Sequence, residues 1–222
     1  MLHPDITIEP ELREKCPQLQ AGCLIAQVQV APASPRLLQE MERACEEASR
    51  SLAIEDISRL PRIRSAREAY KATGKKPGRY RPSAEALLRR VVSGKGLYRI
   101  SNVVDVINLC SLTTHYSIGG YDTGSIAGPI TMGIGREGEP YEAIARGALN
   151  IAGLPVLRDE QGAFGSPTSD SSRAMIRVRD ESVRILLVYF NFGGHQGLDA
   201  VLEDTATLLE THCAGKEIEV WI

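Results

Sequence analysis

Long apolar runs are missing from this chain. The longest, residues 149–157 and 185–190, fall well short of the roughly 20 residues a membrane helix needs, and Gly, Pro or charge bounds or interrupts them. Residues 1–14 are acidic and carry no apolar leader segment, so a cytoplasmic protein that does not touch membranes is expected. Cysteine is sparse and unpatterned. Cys16, Cys23, Cys45, Cys110 and Cys213 make an odd number with no CxxC and no metal-binding spacing. Cys23, Cys45 and Cys110 fall at apolar positions and read as reduced core thiols. The four histidines, His3, His115, His195 and His212, lie far apart, and none has a partner His at helical spacing. No metal site and no cofactor are therefore expected. P-loop, GxGxxG, GxSxG and HExxH patterns are absent, as are internal repeats and low-complexity segments.

What is present is ordinary in amount and unusual in arrangement. At 222 residues, 43% hydrophobic and 24% charged, the chain is long enough to bury a sizeable core, which excludes disorder and a disulfide-stapled mini-protein. The net charge of −2 conceals a segregation. Residues 59–99 hold 13 Lys or Arg against Glu68 and Glu85, a net of +11. The remainder holds 13 basic and 26 acidic groups, a net of −13. Such asymmetry suggests a polyanion-binding face on an acidic body; a solvated surface paired with acids from elsewhere explains it equally well.

The pattern predicts a strand over residues 23–30 and a helix from Ser34-Pro35 to about Ser51, with Ser34 as its cap. A short basic helix over 62–72 ends at Gly74, and 75–82 is a basic turn carrying Tyr80. Ser83 is expected to cap a helix whose stripe is Ala84, Leu87, Leu88, Val91 and Val92, ended by Gly94 and Gly96. Residues 102–115 predict a helix that is apolar nearly all round, hence buried. Strands are expected over 126–135, 174–178 and 183–190, then a turn at 191–194, a helix through Leu198 to Leu209, and a last strand over 217–222. The class is α+β: a helical first half packed on a mixed or antiparallel sheet from the second half. Residues 1–58 are expected to supply a strand and helix to the same domain as 59–222.

Two polar clusters stand out. Asn102, Asp105, Asn108, Ser111 and His115 form one stripe along the apolar helix. Such a row either faces water or lines a polar cavity. Residues 166–173 offer Ser166, Thr168, Ser169, Ser171, Ser172, the carboxylate of Asp170 and the guanidinium of Arg173. That loop suits either a plain exposed turn or the positioning of a water or amino group. A nucleophile built from Cys110 and His115 is disfavoured, because residues five apart on a helix do not face each other. His195, after Gly193-Gly194, fits an anion contact at a helix start or a plain surface loop.

Taken together, three stretches resemble one family: Tyr80-Arg-Pro-Ser-Ala-Glu-Ala-Leu-Leu-Arg-Arg90, Ile100-Ser-Asn-Val-Val-Asp-Val-Ile-Asn108, and Gly119-Gly-Tyr-Asp122 with Ile126-Ala-Gly128. They resemble the editing (B-three/B-four) domain of the phenylalanyl-tRNA synthetase beta subunit in free-standing form, over about residues 59–190. The resemblance implies an α+β fold and hydrolysis of the ester linking a wrong amino acid to tRNA. It implies tRNA or aminoacyl-tRNA as partner, with no DNA expected and the oligomeric state left open. Without an aminoacylation domain the sequence is not expected to be a synthetase. Asn102, Asp105, Asn108, Tyr121 and Asp122 match the family pattern. The positions of the family's Thr, His and Glu hold Ile107, Gly119 and Val188 here. On this footing Asn108, Ser169, Asp170 and Ser171 are candidate catalytic groups. Asn102, Asp105, Tyr121, Asp122 and Arg173 are candidate substrate contacts. Arg79, Tyr80, Arg81, Arg89, Arg90 and Lys95 are candidate RNA contacts. The alternative is a binding module that has lost hydrolysis.

Overall fold

The computed structural model describes residues 4–179 and 181–222. His3 therefore lies outside the described residues. Among the described residues, ten strands and six α-helices form two main sheets and a helical layer. The central sheet is antiparallel. It runs β10 (Lys216–Trp221), β2 (Gln20–Val28), β9 (Val183–Asn191), β3 (Ile118–Asp122). β2 and β9 pair over their whole lengths, from Gln20 opposite Asn191 to Val28 opposite Val183. The second sheet is mixed: β1 (Ile6–Ile8) runs parallel to β4 (Ile130–Ile134), followed by β7 (Pro155–Asp159) and β8 (Gly162–Gly165). A two-stranded ribbon, β5 (Glu142–Ala143) with β6 (Gly147–Ala148), completes the strands.

The strand period of two divides the core. On β9, Leu186, Val188 and Phe190 join Met132, Val156, Leu157 and Phe164 of the second sheet. The alternate residues Ile185, Leu187 and Tyr189 face the helices α2 (Pro35–Ser51), α5 (Asn102–Thr114) and α6 (Leu198–Cys213), meeting Met41, Val106 and Leu202. β9 is thus buried on both faces, which is why its sequence is a continuous apolar run rather than an alternating one. A third cluster, with Ile57, Ile63, Leu88 and Leu112, seats α3 (Pro61–Ala72) and α4 (Ser83–Arg90) beside α5. The remaining helix, α1 (Pro10–Lys15), follows β1.

Local signals explain most boundaries. Ser34 Oγ accepts a hydrogen bond from Leu37 N and caps α2 as expected. Ser83 does not cap α4. Pro82 stands at the cap, and Ser83 N–H bonds Pro167 O. α4 ends in a wider π-helical turn, Val91–Lys95, and Gly94 at φ 80° takes the chain out of the helix before Gly96. The strand expected over 174–178 does not form. A 3-10 turn, Ser172–Ala174, occupies its start, and a lone bridge joins Met175 to Tyr121. The strand expected over 126–135 shortens to β4, because Gly128 at φ 72° turns the chain before it. β3, β7, β8, β1 and α1 carried no recognised signal. β3 reads Ile-Gly-Gly-Tyr-Asp, with two glycines where β-formers are expected.

Candidate functional site

The polar loop 166–173 leaves β8 and folds back against β3, and its hydrogen bonds fix it on every side. Ser166 Oγ accepts from Thr168 N. The Thr168 hydroxyl bonds Tyr70 of α3 at 2.8 Å. Tyr141 donates its hydroxyl hydrogen to Ser169 O at 2.7 Å, and Ile144 N donates to Asp170 O. Burial pushes the Tyr70 and Tyr141 phenols well up, so both remain donors at neutral pH.

Asp170 is the centre of this arrangement. Its Oδ1 accepts from Tyr121 Oη at 2.6 Å and its Oδ2 from Gly120 N at 3.2 Å. Burial pushes the carboxyl up to about 7, against the lowering effect of bonds from Tyr121, Gly120 and Ser166. The residue as a whole is half-buried. Tyr121 itself is fully buried, packed edge-on against Phe164 at 4.9 Å, and its phenol is raised well above the ordinary value. Its ring explains two glycines. A Cβ on Gly119 or Gly165 would overlap the Tyr121 hydroxyl. On the opposite face of β3, a Cβ on Gly120 would come within 2.6 Å of Ile107 Cδ1. Helix α5 and the 166–173 loop therefore meet at Gly120, with Ile107 from one and Asp170 from the other.

Several expected contacts prove to be occupied internally. Asn102 is buried, its Oδ1 accepting from Ala31 N and Val103 N and its Nδ2 donating to Gln29 O and His212 O. Asp105 is buried and accepts from Ile100 N. Its Oδ2 has no partner among the described residues, and burial raises its pKa. Asp122 accepts from Gly124 N and pairs with Arg179 at 2.6 Å. Ser171 accepts from Arg173 N. Arg173 clasps Asp159 with both terminal nitrogens, at 2.9 and 3.1 Å, and reaches Ser125 O and Gly162 O. These five side chains bond backbone and neighbouring side chains within the fold. Asn108 and Ser169 differ. Both are half-buried, with no side-chain hydrogen bond among the described residues. The Cys110 thiol is buried and pushed up, and His115 is a left-handed C-cap with its pKa lowered by burial. His195 reaches Ser65 Oγ at 3.1 Å.

The basic segment divides into two populations. Arg67 and Arg89 both grip the fully buried carboxylate of Glu85. Lys75 donates to Asn150 O and Ala152 O while lying 3.9 Å from the Tyr80 ring centroid. Tyr80 packs against the core, and Arg79 also lies over its ring. Arg90 covers Tyr98 and donates to Lys95 O. Arg79, Arg81 and Lys95 are exposed and form no ion pair among the described residues. The turn bearing Arg79 and Arg81 is tied to the polar loop by Ser83 N–H to Pro167 O, 2.7 Å.

Sequence reasoning missed Tyr141, Ile144 and the Gly120 amide. Tyr141 sits in a short Gly- and Glu-rich stretch without periodicity, and a backbone donor leaves no residue-type signal. Two clefts of about 220 and 360 Å³ lie elsewhere, beside Lys15 and Ser65 and between α2 and residues 95–99. Among the described residues no cluster of His, Cys, Asp and Glu suits a metal ion, and no helix is long and apolar enough to cross a membrane.

A helical layer on an antiparallel sheet, backed by a mixed sheet with a carboxylate-bearing loop at its edge, defines an α+β module. The family model of the B3/4 domain matches residues 65–213, and the chain belongs to that family. Among solved structures it is similar to an N-terminal fragment of the phenylalanyl-tRNA synthetase beta subunit from Pyrococcus horikoshii, at 13% identity and a TM-score of 0.47. The match covers 96% of this chain and 49% of that one, so the chain spans about half its length. Comparison with curated proteins finds no match.

Proposed function

We propose that this chain binds the acceptor end of tRNA and hydrolyses the ester of misacylated tRNA in trans. The observation that carries the reading is Asp170, whose carboxyl is pinned at both oxygens and pushed up to about 7 by burial. A carboxylate with that pKa takes a proton from an attacking water at neutral pH. Water adds to the ester carbonyl carbon while Asp170 accepts its proton. The carbon–oxygen bond to the ribose then breaks, and the ribose hydroxyl leaves with that proton. Tyr121 and Gly120 are positioning groups that keep the carboxylate from swinging. Asn108 and Ser169, free of internal side-chain bonds, are assigned to the developing oxyanion. Arg79, Arg81 and Lys95 supply phosphate contacts, supported by their exposure and by the link from the basic turn to the loop.

One observation favours a binding module without hydrolysis. Gly119 and Val188 are register partners, Ile107 lies over the adjacent Gly120, and none of the three carries a proton-transferring group. A panel of mischarged tRNAs separates the readings. Hydrolysis predicts loss of at least one ester above the uncatalysed rate, reduced on the order of a hundredfold in Asp170→Asn. Retained binding with no ester loss from any tRNA leaves only the binding module.

A further inference from the structure

One arginine of helix α3 is left without an acid. Arg64 lies 3.8 Å from Glu68 and Arg67 pairs with Glu85 at 2.8 Å, whereas Arg62 forms no ion pair among the described residues. Arg62 is half-buried. Its guanidinium donates to Thr114 O at 2.7 Å and stands 4.2 Å from the centre of the Tyr116 ring. A carbonyl and an aromatic face compensate a cation only in part, so a half-buried guanidinium with further N–H donors favours an anion. Two half-buried imidazoles share this place. His115 follows Thr114 and closes α5. His195 Nε2 lies 3.1 Å from Ser65 Oγ, one turn along α3 from Arg62. Burial and the Arg62 charge lower both imidazoles, so they are neutral at neutral pH and free to take up a proton beside an anion. His195 is fixed in advance. Asn191 Oδ1 accepts from its backbone N–H and Asn191 Nδ2 donates to its carbonyl, each at 3.0 Å. Ser65 is itself fixed by donating to Pro61 O at 2.9 Å. Ser65 also lines the cleft of about 220 Å³, whose charged groups are Lys15, paired with Glu11, and Glu68.

We infer that Arg62, His115 and His195 hold a phosphate group, with Ser65 as a positioning residue for the His195 ring. The three donors come from α3, the end of α5 and the loop after β9. A carboxylate offers two oxygens in one plane. A tetrahedral phosphate offers oxygens in several directions and suits donors that converge from separate elements. The site shares no residue with the Asp170 arrangement, so it stands whether or not the chain hydrolyses esters.

The test titrates the full chain with inorganic phosphate at constant neutral pH and follows the imidazole resonances by NMR. The His115 and His195 signals are expected to move together and saturate with a dissociation constant of about 1–10 mM. His212, bonded to Glu40, should stay in place. Arg62→Gln should weaken binding about tenfold or more, as expected for a lost charge-assisted hydrogen bond. Arg62 also braces Thr114, so His195→Gln, which leaves that contact intact, is measured beside it and should weaken binding about threefold or more. Competition separates the sources. Displacement by ribose 5-phosphate alone assigns the site to a free phosphate monoester, and displacement also by the dinucleotide cytidylyl-adenosine assigns it to a nucleic-acid backbone; both results uphold the site. No saturable shift up to about 50 mM phosphate, or unchanged affinity in folded Arg62→Gln and His195→Gln, overturns it.

Discussion

Asp170 makes a prediction about stability as well as reactivity. Its carboxyl is raised in the fold, to about 7 from an ordinary 3.8. Between those values the folded state holds the proton more tightly than the unfolded chain does. The Asp170 contribution therefore falls as pH rises from about 4 to about 7 and is level above that. Asp170→Asn should flatten this part of the profile, and thermal unfolding measured from pH 4 to 8 reads it directly. An identical slope in the variant would remove Asp170 as the cause. Glu85 is a carboxylate with no exposure, held by Arg67 and Arg89. Removing one member of a buried pair is costly because the partners lose their counter-charge. Both arginines reach solvent, so Glu85→Gln should cost about 2–3 kcal/mol rather than the full penalty. Urea unfolding is the measurement, and a change below about 0.5 kcal/mol would show that the arginines re-solvate freely.

At the scale of elements, helix α5 carries the polar stripe that drew attention in the sequence, and the fold uses its members differently. Asn102 ties the start of α5 to residues 29 and 31 after β2 and to His212 near the end of α6. Asn102→Ala removes the side-chain partner of two backbone carbonyls, Gln29 O and His212 O, and two backbone amides, Ala31 N and Val103 N. A loss of about 2–4 kcal/mol in unfolding free energy is expected, with little change in the catalytic pH profile. Six residues later, Asn108 makes no side-chain hydrogen bond among the described residues, so Asn108→Ala should leave stability nearly unchanged and slow ester hydrolysis on the order of a hundredfold. Cys110→Ala and His115→Ala serve as controls, because a buried thiol pushed up and a partly buried imidazole with its pKa lowered are poor nucleophiles and bases here. Activity lost in either control but kept in Asn108→Ala and Asp170→Asn would replace the water mechanism with a nucleophilic one.

For the whole molecule, the +11 segment is partly scaffold and partly surface. Arg67, Lys75 and Arg89 hold elements together. Arg79, Arg81 and Lys95 are left to solvent. Neutralising these three together should weaken tRNA binding and lower the slope of log affinity against log salt by about 0.7–0.9 per cation lost from phosphate contact. Filter binding across a salt series on the folded triple variant measures this, and an unchanged slope would place the RNA contact elsewhere.

The sequence by itself determined the helices other than α1, the continuous apolar run of β9 and the order of polar clusters. Those features depend on spacing within a dozen residues, and burial imposes the spacing directly. It also determined the family, because the Val-Asp-Val-x-Asn helix and the Tyr-Asp pair survive as local patterns. Only the tertiary structure decided which polar residues are available. Asn102 and Asn108 have the same side chain on one helix, yet one is surrounded by backbone ends from residues 31 and 212 while the other has no such neighbours. Only the tertiary structure, too, made Gly119, Gly120 and Gly165 meaningful, since their missing side chains are filled by Tyr121 and Ile107 arriving from other positions. Hydrogen-bond partners and excluded volume are set by residues far apart in the chain, and no local pattern encodes them.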